Sequence, residues 1–327
     1  MKFASEKSST ADGRLLLVSR DLSQATAVAD IASTLQEALN RWAEIESLLK
    51  ARYEALNEGL LDSAKPLSAF ELTAPLPRSW QWLDGSCFLN HGHLMQQAFH
   101  LDPIEGMDKL PLVYQGAGDN FSGPNDPLIM PDESVGADFE GEFAVILDHV
   151  PMGASVAMAF DAIRLVVLLN DISYRALAPR EMKTGFGFVQ AKGATAFAPI
   201  AVTPDELGDA WHNGRVQLPV QIDRSGQWFG SPSGAEMHFG FQDVIAHVTK
   251  TRSLHPGTVV GSGTVSNANP DVGQACIAEL RAKEMIEHGA PQSAFLGAGE
   301  TVSMQVLDNA GNSVFGAIRQ TVKLEGQ

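Results

Sequence analysis

The sequence predicts a β-rich α+β protein, in which a small N-terminal α/β segment precedes a larger domain of short strands with few helices. Three observations lead there. A stretch rich in Ala, Leu, Glu and Gln, with apolar residues spaced by three and four, is confined to the chain before Gly59. Three prolines, Pro66, Pro75 and Pro77, then interrupt the chain. Beyond them, apolar runs of strand length alternate with Gly, Pro, Asn and Asp turns.

Taken in order, Arg14 to Arg20 reads as a short strand after an Asp12-Gly13 turn. From Asp21 to Gly59 the spacing of Ile31, Leu35, Leu39, Trp42, Ile45, Leu48 and Leu49 predicts amphipathic helix, broken in two and stopped by Gly59. The Ser63 to Pro77 stretch reads as the linker, which divides the chain into residues 1–75 and residues 76–327. In the larger part the runs GEFAVILDHV, RLVVLLNDISY, AFAPIAV and GTVVGSGTVSN read as strands. VQIDRSGQWFG and MQVLDNAGNSVFG read as hairpins, and Val156 to Leu165 and Gln242 to Lys250 as helices.

Composition narrows the partners. The chain carries 39 acidic and 23 basic residues, a formal net charge of -16, and has no run of five basic residues. Such a surface repels phosphate backbones and anionic lipid heads, which argues against nucleic acid and membrane as partners. An anionic substrate would need local positive charge, from a bound cation or a few placed Lys and Arg residues. Cys87 and Cys276 are the only cysteines, so no disulfide framework is expected, and free thiols fit a reducing compartment. No apolar stretch near the N-terminus is long enough for a signal peptide, and no run is long enough to span a bilayer, so a cytoplasmic location is expected.

The chemistry-bearing residues start with Asp138-Phe139-Glu140-Gly141-Glu142-Phe143-Ala144-Val145-Ile146-Leu147. If this is a strand, Phe139, Phe143, Val145 and Leu147 share one face, and Glu140 and Glu142 share the other with Ala144 and Ile146. Two neighbouring carboxylates aimed the same way raise each other's pKa unless a cation neutralises them, and hard divalent ions take oxygen ligands of this kind. An isolated E-x-E is also compatible with a solvated strand edge. Asp171 ends the apolar run RLVVLLND, where a carboxylate is costly unless paired or ligated, although a turn-initiating Asp fits the same position. Lys192, between small and aromatic residues in FVQAKGATAFAP, could pair with carboxylates or an anionic substrate, or snorkel at the surface. Glu279 in ACIAEL is a buried acid suited to proton transfer or the exposed side of an alternating strand. His91, His93 and His100 lie close together, but no partner set of Cys and His elsewhere supports a zinc site.

The series DGSCFLNH, VYQG, EGEFAVIL, LLNDISYR, AKGATAFAP, GSGTVSN and CIAEL, in this order, resembles the fumarylacetoacetate hydrolase family over roughly residues 78 to 325. The segment before it is similar to the short domain that precedes the catalytic domain in bacterial fumarylacetoacetases. The resemblance implies a catalytic domain folded as a mixed β-sandwich roll. It implies a divalent metal (Mg²⁺ or Ca²⁺, or Mn²⁺) held by Asp84, Glu140, Glu142 and Asp171. It further implies His91 as base with Glu279 as its orienter, Lys192 as a catalytic cation, and Tyr114 and Thr264 as substrate contacts. Arg175, which closes LLNDISYR, and Arg180 are the nearby cations assigned to substrate binding.

The chain departs from the family pattern where a substrate carboxylate would be gripped. His100 stands where an Arg is expected, Ala178 where a Gln is expected, and Ser86 where a second Tyr is expected. The implied reaction is metal-dependent hydrolysis of a C–C bond in a small anionic β-diketo acid, 4-fumarylacetoacetate in tyrosine catabolism being the leading case, by a homodimer. The alternatives on the same scaffold are acylpyruvate hydrolysis, oxaloacetate decarboxylation and dienoate hydration or isomerisation. A non-catalytic ligand-binding member is a further alternative. The turn-rich loop Asp119 to Pro131 could close over such a site or merely connect two elements.

Overall fold

A computed structural model describes residues 1–326. Its centre is an 11-stranded sheet whose main path runs Lys65–Pro66, Gln24–Ala27, Arg14–Val18, Lys2–Glu6, Ala201–Val202, Ile163–Asn170, Gly141–Leu147, Val259–Gly261, Trp82–Gly85 and Val113–Gly116, with Ala196–Phe197 paired to Ile163–Asn170. The N-terminal strands therefore extend the same sheet that carries the central apolar strands, through the antiparallel pairing of Lys2–Glu6 with Ala201–Val202. A second, 5-stranded sheet is ordered Gln227–Gly230, Gln221–Arg224, Thr301–Leu307, Ser313–Leu324 and Leu128–Met130.

The strand period of two decides which side chain meets which layer. Along Gly141–Leu147, Phe143, Val145 and Leu147 join Val166, Leu168, Ile222, Met304 and Ile318 in the core between the two sheets. Ala144 and Ile146 point the other way and join Leu165, Val167, Leu169, Phe3 and Leu17 beneath Trp42, Ile45 and Leu49 of the Trp42–Asn57 helix. Both faces of the central sheet are thus buried, the mixed β architecture expected of the larger part. No helix is long and apolar enough to cross a membrane among the described residues.

Several elements differ from the periodicity reading. The stretch from Asp21 is not helical at its start. Gln24–Ala27 pairs with Arg14–Val18, and helix begins at Leu35 behind Thr34, whose side chain accepts a hydrogen bond from the Glu37 N–H at 3.1 Å. Tertiary pairing outweighs the weak helix propensity of QATA. Likewise the helix from Val156 ends at Asp161 and the chain turns to strand at Ile163, where the apolar run enters the central sheet. The two expected hairpins are present. The loop from Asp119 to Pro131 is tied into the body. Phe121 is buried, the Arg319 N–H donates to the Pro124 carbonyl at 2.7 Å, and Leu128–Met130 runs parallel to Ser313–Leu324.

Candidate active site

Three strands end side by side at one point of the large sheet. Val259–Gly261 lies between Trp82–Gly85 and Gly141–Leu147, with Gly261 opposite both Asp84 and Ala144. Glu142 is opposite Leu169 on the neighbouring strand, two residues before Asp171. Asp84, Glu142 and Asp171 share the parity of Trp82, Ala144 and Leu169, so their side chains emerge on one face at the strand ends. Gly261 makes this approach possible. A Cβ there would lie 2.3 Å from Asp84 Oδ1 and 2.4 Å from the Trp82 ring. The next glycine, Gly263, donates its N–H to the same Asp84 oxygen at 3.1 Å.

The result is a buried cluster in which oxygens of Asp84, Glu142 and Asp171 all lie within 4.8 Å of one another. Glu142 is the decisive member. It is fully buried, and neither carboxylate oxygen has a hydrogen-bond partner among the described residues. An unpaired buried carboxylate is among the costliest arrangements a protein holds. Burial, reinforced by Asp84, Asp171 and Glu140, pushes its carboxyl well above the usual range. Burial and Asp171 push Asp84 the same way. Three carboxylates converging with a single counter-charge, the Lys192 ammonium on Asp171, fit a hard divalent cation.

The neighbours of Asp171 are already placed. Its Oδ2 accepts from Tyr114 Oη at 2.5 Å and from Lys192 Nζ at 2.7 Å, and its Oδ1 from Thr195 Oγ1 at 2.8 Å. Lys192 also donates to Glu140 Oε2 at 2.8 Å and lies 5.3 Å from the centroid of the Tyr114 ring. Burial works against the Lys192 charge, but Asp171 and Glu140 outweigh it and hold the ammonium protonated far above its ordinary range. Lys192 is thus largely withdrawn from solvent into ion pairs and does not snorkel.

Glu140 is set apart from the three-carboxylate group. The Arg175 guanidinium takes its Oε1 and Lys192 its Oε2. Burial pushes Glu140 up, yet Lys192, Arg175 and, more weakly, His91 together hold it below the ordinary carboxylate range. Arg175 in turn donates from Nε to Asp138 Oδ2 at 2.8 Å. The Arg assigned to a substrate is therefore engaged at both ends by protein carboxylates. Arg180 sits exposed on the Ala178–Thr184 helix and joins no ion pair or side-chain hydrogen bond among the described residues. Thr264 is buried just beyond Gly263.

His91 projects from the Leu89–Phe99 helix toward the Ile277–His288 helix, where Glu279 is buried in the first turn. Their Nδ1···Oε1 separation is 2.8 Å. ACIAEL is thus the start of a helix and not an alternating strand. His93 and His100 are exposed, and His100 ends its helix in the left-handed region, so neither joins His91 in a metal cluster.

Three residues of this site escaped the sequence reading. Thr195 was inside AKGATAFAP, three residues after Lys192, and both donate to Asp171. Asp138 has the parity of Glu140 and Glu142, which alone could have flagged it. Its second role, capping the Ile277 and Ala278 N–H groups at 2.7 and 3.0 Å, is a contact between segments 139 and 140 residues apart. Cys276 lies buried beside His91 and Glu279.

A family model described as fumarylacetoacetate (FAA) hydrolase C-terminal matches residues 81–323, and one described as fumarylacetoacetase N-terminal domain 2 matches residues 1–78. The chain belongs to the fumarylacetoacetate hydrolase family. It therefore has the scaffold of that family's hydrolases and isomerases. A 2,4-didehydro-3-deoxy-L-rhamnonate hydrolase from Sphingomonas sp. (strain SKA58) is 26% identical over 199 residues, 60% of this chain and 61% of the relative. The chain thus aligns with about three-fifths of the length of such curated relatives. Among solved structures, a probable 2-hydroxyhepta-2,4-diene-1,7-dioate isomerase from Mycobacterium abscessus matches with TM-score 0.68 at 19% identity, covering 100% of both chains. A maleylpyruvate hydrolase from Sphingobium sp. SYK-6, solved with manganese(II) and pyruvate, matches with TM-score 0.68 at 16% identity over 100% of both chains. At such identities these two structures speak for the fold of this family member, the mixed β roll with its N-terminal segment.

Proposed function

We propose that this protein is a metal-dependent hydrolase that cleaves a C–C bond in a small anionic β-diketo acid, with 4-fumarylacetoacetate the leading substrate. The observation that carries the reading is the unpaired Glu142 carboxylate between Asp84 and Asp171, present together with a His91–Glu279 pair. A pure binding module needs the first feature but has no use for a base with its own buried orienter. The manganese found in a relative of the same fold supports the metal, and the 26% identical hydrolase supports hydrolysis.

Asp84, Glu142 and Asp171 hold the ion, with Glu140 within reach of Asp171 through Lys192. When bound, a divalent cation supplies Lewis acidity toward substrate oxygens and positive charge within an acidic protein. His91 removes a proton from water, with Glu279 keeping the ring oriented and stabilising the imidazolium. The hydroxide adds to a carbonyl carbon, and the ammonium of Lys192 stabilises the negative charge that develops on the oxygen. The C–C bond then breaks, its electron pair leaves with the methylene carbon as an enolate, and the proton held by His91 returns to that carbon. Water is thereby divided between two acids, fumarate and acetoacetate for the leading substrate.

A second reading keeps the site and changes the chemistry to isomerisation or hydration of a dienoate, supported by the isomerase of the same fold. A spectrophotometric panel of fumarylacetoacetate, acylpyruvates, oxaloacetate and hydroxydienoates, with and without Mg²⁺ or Mn²⁺, separates the readings. Turnover of a diketo acid that survives exhaustive metal removal, or that survives Asp171→Asn, overturns the proposal.

A further inference from the structure

We propose that His91, Cys276 and Glu279 form a second cation site, which takes Zn²⁺ and thereby withdraws His91 from proton transfer. A ring nitrogen of His91, the Cys276 sulfur and a Glu279 oxygen all lie within 4.8 Å of one another. Cys276 is the N-cap residue of the Ile277–His288 helix and Glu279 lies in its first turn, three residues on, so both side chains face the same neighbour. That neighbour is the Leu89–Phe99 helix, which contributes His91. Thiolate sulfur, imidazole nitrogen and one carboxylate are a donor set for a borderline-soft ion, whereas the all-oxygen cluster of Asp84, Glu142 and Asp171 selects a hard one. The two sites therefore sort cations by chemistry.

Geometry and charge are compatible with an ion. Tetrahedral zinc with sulfur at 2.3 Å and nitrogen near 2.1 Å brings those two ligands to roughly 3.6 Å from each other. The ligand atoms thus need shifts of roughly 1 Å: the wider separations close toward that spacing, while His91 Nδ1 and Glu279 Oε1, 2.8 Å apart, open toward it. Cys276 and Glu279 are fully buried, while the His91 side chain is 20% exposed and provides the approach from solvent. Binding exchanges the thiol proton for the metal: one S–H bond breaks, one S–metal bond forms, and the proton goes to solvent. Thiolate, carboxylate and neutral imidazole then balance the two positive charges, leaving a fourth position for water.

Occupancy of this site does not depend on the reaction proposed above, whereas inhibition rests on His91 being the base. The test is a Cd²⁺ titration of the Mg²⁺-saturated protein, followed by the ultraviolet thiolate-to-metal charge-transfer absorption, with Zn²⁺ as competitor. The expected result is one Cd²⁺ per chain, displaced by Zn²⁺, with the absorption lost in Cys276→Ser and Cys276→Ala and retained in Cys87→Ser. Circular dichroism of each variant establishes that it is folded. No absorption in the parent protein, or absorption that survives in folded Cys276→Ser, overturns the site. In parallel, Zn²⁺ inhibition of diketo-acid turnover, measured relative to each variant's own turnover without Zn²⁺, is expected to weaken at least tenfold in Cys276→Ser. Cys276-dependent absorption without inhibition upholds the site and overturns the role of His91 as base.

Discussion

Asp138, fully buried, and Arg175, partly buried, form an ion pair that links the two halves of the candidate active site. The Arg175 Nε donates to Asp138 Oδ2 at 2.8 Å, and the other end of the guanidinium reaches Glu140 beside the carboxylate cluster. The same Asp138 carboxylate caps the N-terminus of the helix that carries Glu279 and faces His91. One side chain thus sets both the arginine that holds Glu140 and the helix that holds the base.

Asp138→Ala is expected to destabilise the protein by about 3–5 kcal/mol, because it leaves the part-buried Arg175 guanidinium with Glu140 alone and uncaps the Ile277 and Ala278 N–H groups. Urea denaturation of the variant and of the Asp138→Ala/Arg175→Met double variant measures this. The double variant is expected to recover part of the loss, and an additive cycle would contradict the coupling.

Glu142→Gln separates function from stability. It removes one of three mutually repelling buried carboxylates. The metal-free variant is expected to melt at or above the parent temperature while losing the stabilisation by Mg²⁺ or Mn²⁺. For the parent that stabilisation amounts to about 2.7 kcal/mol at a metal concentration a hundredfold above Kd. Melting curves with and without metal decide it. A metal-dependent rise that persists in the variant would remove Glu142 from the ligand set.

The raised Asp84 and Glu142 carboxyls set a pH dependence. A group with a folded-state pKa above its unfolded value binds its proton more tightly in the folded state. Its contribution is complete below the ordinary carboxylate range, about pH 4, and is lost as pH climbs through the raised value. Metal-free protein is therefore expected to lose stability as pH rises above about 4, whereas metal-loaded protein gains affinity over the same window, because protons no longer compete for the ligands. Thermal melts across pH, with chelator and with Mg²⁺, should diverge as pH increases. Parallel curves would refute this account.

Gly261→Ala introduces a Cβ within 2.3 Å of Asp84 Oδ1 and 2.4 Å of the Trp82 ring. Both neighbours are buried, so Asp84 is displaced from Glu142. Metal affinity measured by calorimetry is expected to fall at least tenfold. Unchanged affinity would show that the strand relaxes without moving the carboxylate.

His91→Ala is expected to lower kcat by about 10²–10⁴-fold with metal affinity retained. Glu279→Gln is expected to lower kcat less, and both leave the carboxylate cluster untouched. Steady-state kinetics beside metal titrations provide the comparison, and near-normal kcat in His91→Ala excludes it as the base.

The amphipathic spacing around Ile45 and Leu49, the two hairpins and the alternation through Phe143, Ala144 and Val145 were all legible in the sequence, because period and turn chemistry are local properties. So was the common face of Glu140 and Glu142. Legibility ended where packing competes with propensity, as at Gln24–Ala27, and where a side chain's partner is remote in sequence. Sequence placed Glu140 and Glu142 as equals, and the fold divided them. Glu140 meets Lys192 and Arg175, which come from the chain beyond the central strand, while Glu142 faces Asp84 and Asp171 with no donor at all. Which carboxylate is neutralised by protein and which is left for a cation depends on distances between distant segments. Burial then amplifies that difference, since an uncompensated charge costs far more away from water than on a strand edge.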